Sequence, residues 1–326
     1  MNTKRKILWL LEKNREEYLS GAKLASQLCI SRNAVWKAIN ELKKDGYEIE
    51  AITNKGYRLH DNSDILSVEG LLPFLPDSYE KDLIYVFDEV ESTNQTAKEM
   101  AITGAKHGTV IIADHQTGGR GRFSRSFFSP PGGGLYISFV LRPENLFFEN
   151  ITPVTAFAAV TVCDSIEAVT GKEPKIKWVN DVVLNRKKIC GILTESISDL
   201  ESGHPQWIVL GIGINVSTPD IDFPKEIQHI AGSIYPDGRK EITRNKIAAE
   251  IIKRLTVSHK TIDETMLFRL YREKLMMLGS PVTVIINGQE SYKGIASDID
   301  DLGHLLVKKD DGKLETLSFG EISIKL

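Results

Sequence analysis

Three stretches of this 326-residue chain carry side chains able to act on an anion. In Gln116-Thr117-Gly118-Gly119-Arg120-Gly121-Arg122, continued by Phe123-Ser124-Arg125, closely spaced glycines let backbone N–H groups approach, and three guanidinium groups offer permanent charge suited to phosphate oxygens. The same composition also describes a solvated basic loop. The second stretch sets Lys177, Asn180 and Asp181 a few residues before Lys188. By position alone, Lys187 and Lys188 read as an ordinary solvated turn. The third, Ser92-Thr93-Asn94, precedes a helical pattern, where hydroxyl and amide groups either cap the helix or hold a polar ligand group.

The elements around these stretches decide between the readings. Residues 108–114 and 134–141 read as buried strands, so the Gly/Arg segment is a connection of about twenty residues between two core strands, longer than ordinary connections and of the kind used for lids. Residues 83–87 read as a strand, the helix after Ser92 runs to about Thr103, and residues 152–169 form a buried helix. A strand at 175–178, a turn into 182–184, a hairpin tip at 185–188 and a return at 189–195 would bring Lys177, Asn180, Asp181 and Lys188 to one end of a sheet. Residues 207–216 form a central strand in which Gly211 and Gly213 remove side chains where something approaches closely, whether ligand or helix. Residues 242–278 keep a helical period.

Both termini have a different character. Helices at 2–13, 21–28 and 32 to about 44, capped by Ser20 and Ser31, are followed by a hairpin turned by Asn54-Lys55-Gly56, which describes a winged helix-turn-helix. Its DNA-facing candidates are Ser31, Arg32, Asn33, Trp36 and Lys37 on the third helix, with Lys55 and Arg58 on the wing. Residues 1–60 hold 12 Lys/Arg against 7 Asp/Glu, so a surplus of five sits on a chain of net charge −3 and the remainder carries −8. The alternative is a three-helix interaction domain whose charges only keep it soluble. After Gly279, strands at 281–286, 291–297, 305–308 and 314–317 with Asn-Gly and Asp-Gly turns read as a small barrel of about fifty residues. The expected domains are 1–62, 63–278 and 279–326. Cys29, Cys163 and Cys190 lack the spacing of a zinc site or a disulfide framework, the apolar patch near the start is too short for a secretory signal, and no run approaches membrane-spanning length. A cytoplasmic protein with no membrane partner is expected.

Taken in order, Ser92-Thr93-Asn94, Gly119-Arg120-Gly121-Arg122, Lys177-Trp178-Val179-Asn180-Asp181, Lys188-Ile189-Cys190-Gly191, Gly211-Ile212-Gly213-Ile214-Asn215 and Gly320-Glu321-Ile322-Ser323-Ile324-Lys325 closely resemble the bacterial bifunctional biotin–protein ligases that also repress biotin genes. The resemblance spans the chain. It implies an α+β multidomain protein: a winged helix-turn-helix, a central mixed sheet like that of class II aminoacyl-tRNA synthetases, and an SH3-like barrel. It implies biotin–[acetyl-CoA-carboxylase] ligase chemistry, in which biotin and MgATP give biotinyl-5′-AMP and pyrophosphate before a carrier-domain lysine takes the biotinyl group.

Carried over residue by residue, the family pattern implies biotin contacts from Ser92, Thr93, Asn94, Gln116, Gly119, Arg120, Arg122, Lys188, Gly191 and Gly211. For ATP and the adenylate it implies Arg120, Arg122, Arg125, Phe127, Lys177, Asn180, Asp181, Lys188, Asn215 and Lys325. Lys188, Arg122 and Asp181 are the implied catalytic groups, with Asp181 also assisting deprotonation of the acceptor lysine. Mg²⁺ arrives with ATP near Asp181 rather than in a fixed protein site. Ser124 and Phe127 stand where relatives often have glycine and tryptophan, and Val179 where they usually have proline. The implied regulation is a biotinyl-5′-AMP corepressor that orders the Gly/Arg loop, favours a homodimer and places two recognition helices on a biotin-gene operator, with the carrier protein competing for the same surface. Two rivals remain: a lipoate-type acyl-protein ligase, and a DNA-binding biotin sensor without ligase activity.

Overall fold

The computed structural model describes residues 2–145, 151–198, 205–239, 241–257, 263–286, 288–318 and 320–324. Helices α1 (Thr3–Lys13), α2 (Gly21–Leu28) and α3 (Arg32–Lys44) open the chain. The side chains of Asn2, Ser20 and Ser31 each accept a backbone N–H from the first turn, which meets the orphan donors of each helix start. Ile7, Leu11, Leu24, Val35, Ile39 and Leu42 bury one stripe from each helix in a common cluster. Strands β1 (Ile49–Ile52) and β2 (Gly56–Leu59) pair antiparallel as the wing. Gly56 is required there: its φ is +119°, and a Cβ would run into the Leu19 backbone.

After a short helix α4 (Val68–Leu71), the central unit runs β3 (Ile84–Val90), α5 (Thr93–Ile102), β4 (Thr109–Gln116), β5 (Gly134–Leu141), α6 (Ile151–Thr170), β6 (Lys175–Lys177), β7 (Asp181–Leu184), β8 (Lys187–Ser198) and β9 (Pro205–Asn215). The strands form one mixed sheet in the order β3-β4-β5-β9-β8-β7-β6, with β3 and β4 parallel and the other pairs antiparallel. Period-two alternation divides its side chains. Val110, Ile112, Ile137, Phe139, Leu210 and Ile212 face the main core with α6, α7 (Arg244–Val257) and α8 (Glu264–Lys274). Ile111, Val140 and Val209 face α5 through Ala97 and Ala101.

The helical pattern of 242–278 resolves into α7 and α8. Two expectations change. Residues 187 and 188 belong to β8, because Asn185 and Arg186 alone make the tip, both left-handed at φ +50° and +67° as a two-residue hairpin turn requires. Helix α6 is, by length and composition, able to span a membrane, contrary to the expectation that no run would be; yet 72% of its most apolar 18 residues are buried, since it packs on the sheet and on two helices and must be apolar nearly all round.

The carboxy-terminal strands β10 (Pro281–Ile286), β11 (Gln289–Ile299), β12 (Leu305–Lys309), β13 (Leu314–Leu317) and β14 (Glu321–Ile324) form an antiparallel sheet in the order β13-β12-β11-β10-β14. The sequence pattern marks four of these; β14 is a fifth, recruited by pairing with β10. Its inner residues Val282, Val284, Leu305 and Ile322 continue the main core without a break.

One buried side chain joins distant parts of the chain. Arg244, at the start of α7, donates to both carboxylate oxygens of Asp64 through its backbone N–H (2.7 Å) and Nε (2.8 Å). It also donates to Asp114 Oδ1 (2.5 Å) and to Gly134 O (2.8 Å). The segment after the wing is thereby tied to both strands that flank the Gly/Arg loop.

Candidate functional site

The sheet face that carries α5 also forms the floor of a cavity of roughly 520 Å³, within the usual range for a small-molecule site. Ser138, Gly211 and Leu193 lie in one row across β5, β9 and β8. At Gly211 a Cβ would fall on the amide of Asn94, and at Gly213 it would come within 2.6 Å of the Phe127 ring. The first glycine therefore admits the opening turn of α5 and the second admits the loop.

Lys188 reaches the cavity because β8 contains a bulge. Val182 pairs with Cys190 but Val183 pairs with Lys188, which leaves Ile189 extra. Ile189 and Cys190 both turn into the core, and Lys188 is thrown to the cavity side. Its stem folds over Gly191, with Cε 3.3 Å from where a Cβ would be, and its ammonium meets Asp181 at 2.7 Å. Asn180 donates to Ile192 O (2.8 Å), and Lys177 lines the same wall. Tyr271 donates to Val179 O (2.8 Å) and Trp178 to Gly303 O (3.0 Å), so this turn is anchored from α8 and from the carboxy-terminal sheet.

The Gly/Arg loop lies across the opening. Phe127 N donates to Gly119 O (2.9 Å) and Gly121 N to Arg125 O (2.7 Å), closing it as an irregular hairpin. Arg122 points inward, donating to Asn180 Oδ1 (3.2 Å) and Gly320 O (3.4 Å); burial holds its guanidinium below the ordinary arginine range, against the pull of Glu321 and Asp181. Arg125 makes a two-pronged pair with Glu321 of β14 (2.8 and 2.9 Å), and Arg120 pairs with Glu91 (3.2 Å). Phe123 and Ser124 are both left-handed, at φ +55° and +57°.

The opposite end of the cavity is neutral and hydrogen-bonding. Ser92 occupies the N-cap position of α5 but makes no capping bond; it is buried and lines the cavity, so the commoner capping role does not hold here. Gln116 Oε1 accepts from Thr93 N (2.8 Å) and lies 3.1 Å from Thr93 Oγ1, while its Nε2 donates to Ser129 Oγ (3.0 Å).

All the ligand candidates from the sequence line this one cavity except two. Gly119 is buried behind it, where its carbonyl holds the loop, and Lys325 lies outside the described residues. Asn215 lines it while donating to Gly232 O (3.0 Å). Residues given no ligand role from the sequence complete the walls: Phe128 packed on Phe223 (5.8 Å between centroids), Ile227, Met276, Ile322 and Glu321. Among the described residues no group of three or more His, Cys, Asp or Glu side chains is disposed to hold a metal ion.

On α3, Arg32, Asn33 and Lys37 are exposed and Trp36 is 55% exposed, while Ser31 caps the helix through Ala34 N (3.1 Å). Lys55 stands exposed on the wing. Arg58 instead pairs with Glu50 across the hairpin (3.1 Å) and lies over the Tyr18 ring, so its charge is partly compensated within the module.

Comparison with known proteins agrees with this division. The sequence profile of the biotin/lipoate A/B protein ligase family matches residues 86–215, an HTH domain profile matches 3–58, and the biotin protein ligase C terminal domain matches 277–325. The chain is 36% identical over 310 residues to the bifunctional ligase/repressor BirA of Bacillus spizizenii, covering 94% of each chain. It is 29% identical over 312 residues to that of Escherichia coli, covering 95% of this chain and 94% of the relative. Among solved structures, the biotin protein ligase of Aquifex aeolicus in complex with biotin and ATP superposes with a TM-score of 0.62 at 29% identity, covering 74% of this chain and 98% of that one.

Proposed function

The chain belongs to the bifunctional biotin–protein ligases that double as repressors, and on that premise we propose how its site carries out the work. The protein is an ATP-dependent biotin–[acetyl-CoA-carboxylase] ligase and, through its helix-turn-helix, a repressor of transcription. The biotin carboxylate attacks the α-phosphate of ATP, releasing pyrophosphate. The amine of a lysine on a biotin carboxyl carrier domain then attacks the acyl carbon of biotinyl-5′-AMP, releasing AMP.

The carrying observation is one cavity with a neutral, hydrogen-bonding end at Ser92, Thr93 and Gln116 and a cationic end at Lys188 and Arg122. The neutral end suits the cyclic urea of biotin, whose buried polar atoms all need partners. At the other end one anion attacks another, and Lys188 and Arg122 offset the charge that builds up between them. Before ATP binds, Asp181 holds the Lys188 ammonium in place; as the phosphates arrive the lysine moves to them and the carboxylate is freed for the acceptor amine. Mg²⁺, entering with ATP beside Asp181, supplies further charge neutralisation on the phosphates. Lys177, Asn180, Asn215 and Phe127 form the nucleotide side, joined by Lys325.

Residues 1–62, 63–278 and 279–326 act as DNA-binding, catalytic and capping domains. Biotinyl-5′-AMP orders the loop at Arg120–Arg125, excludes water from a reactive anhydride, and favours a homodimer that sets two α3 helices on a palindromic operator. Incubation with ATP, apo carrier domain and labelled biotin or lipoate tests the assignment. Biotin-dependent pyrophosphate release and labelling of the carrier are expected; labelling by lipoate alone, or binding of biotin without pyrophosphate release, would overturn it.

A further inference from the structure

Behind the neutral end of the cavity stands a carboxylate that does not itself line it. Glu195, on β8, accepts from Asn94 Nδ2 at 2.8 Å through Oε2 and from Lys98 Nζ at 2.6 Å through Oε1. A carboxylate facing an amide only accepts, so Asn94 is turned with its NH₂ toward Glu195 and its Oδ1 toward β5. There Oδ1 takes the proton of Ser138 Oγ (2.7 Å), whose lone pairs face Thr93 Oγ1 (2.8 Å). The sense of this row is set from the Glu195 end as far as Thr93, whose one hydroxyl proton goes to Ser138, whereas the Gln116 amide is oriented by Thr93 N and Ser129; Gly211 leaves the space in which Asn94 can lie across the strand.

We propose that Glu195 is a positioning residue that, through Asn94 and Ser138, turns the Thr93 hydroxyl proton away from the cavity, so that its lone pairs are held ready to accept from a ring N–H of the urea. The inference rests on the ligase reading and deepens it. A urea presents one acceptor and two donors, and replacing its oxygen by nitrogen leaves the two ring N–H donors in place. With a glutamine at 195 the facing amide can turn either way, Asn94 can turn with it, and the row loses its fixed sense. Lys98 occupies the other carboxylate oxygen, so the tether of α5 to β8 and the orientation of Asn94 can be separated by mutation.

Steady-state pyrophosphate release with biotin, ATP and 2-iminobiotin, the guanidine analogue, tests this on the full chain. Glu195→Gln is expected to raise KM for biotin about tenfold, the scale of one hydrogen bond to a charged group, with kcat and KM for ATP little changed. The preference for biotin over 2-iminobiotin, which keeps both ring N–H groups, should stay close to wild type in the same variant. Lys98→Met should leave all of these close to wild type. Unmoved biotin KM in Glu195→Gln, a changed preference between biotin and 2-iminobiotin, a parallel loss of kcat and both KM values, or equal effects from Lys98→Met would overturn the proposal. A wild type that releases no pyrophosphate with biotin and ATP would instead remove the ligase reading on which it stands.

Discussion

Lys188 owes its position to one extra residue. Without the bulge at Ile189 strict alternation would turn it into the core, where an ammonium has no solvation. Lys188→Ala is expected to slow adenylate formation by about 10²–10³, the usual effect of removing one charge-stabilising group, as read by biotin-dependent pyrophosphate release; unchanged turnover would remove its catalytic role. Ser124 is a subtler residue. Its left-handed φ of +57° costs roughly 1 kcal/mol, which glycine would relieve. Glycine also gains about 0.5–1 kcal/mol of freedom in the unfolded chain, so the two effects nearly cancel. Ser124→Gly should therefore leave the melting temperature within about 2 °C of wild type.

Between elements, the loop is held by its fit to two strands and a third sheet edge. The Phe127 ring sits where Gly213 has no side chain, so Gly213→Ala should displace the ring and raise KM for ATP. The same change in a Phe127→Ala background should do less, with a coupling of about 0.5–3 kcal/mol in a double-mutant cycle. Arg125 and Glu321 form a pair whose arginine is 61% exposed, which limits its stability contribution to about 1 kcal/mol or less. The Arg244 network differs, being almost wholly buried. Arg244→Met takes the guanidinium away from Asp64 and Asp114, and a loss of about 3–5 kcal/mol is expected in urea unfolding.

At the scale of the whole molecule, ligand and operator binding are linked if both favour the same dimer, so biotinyl-5′-AMP must tighten operator binding by the factor by which operator tightens the adenylate. Gel-shift titration at fixed salt is expected to show that gain, and Lys37→Ala should lower affinity about equally for all sequences and flatten the salt dependence. Equal operator affinity with and without the adenylate would remove the switch. If the loop closes on biotinyl-5′-AMP as proposed, proteolysis within Arg120–Arg125 should slow when biotin and ATP are added together.

Most of the architecture was written into local pattern. Period-two runs marked the central strands, period-3.6 runs and serine caps marked α1 to α3, and Asn-Lys-Gly marked the wing, because each of these is decided by neighbours within a few residues. The chemistry-bearing residues were legible by type: glycines beside arginines, and Lys188 beyond Asn180 and Asp181. What they face was not. The bulge that aims Lys188, the use of Gly211 for Asn94 and Gly213 for Phe127, the pairing of Arg58 with Glu50, and the place of Glu195 and Glu321 all depend on partners up to nearly two hundred residues away. Short β14 and the carboxylate behind Asn94 leave no periodic trace, since a strand of four residues and a single ion pair acquire meaning only from the surface they meet. Sequence thus determined the elements and the chemical repertoire; tertiary packing decided which side of the sheet that repertoire faces and which groups hold it there.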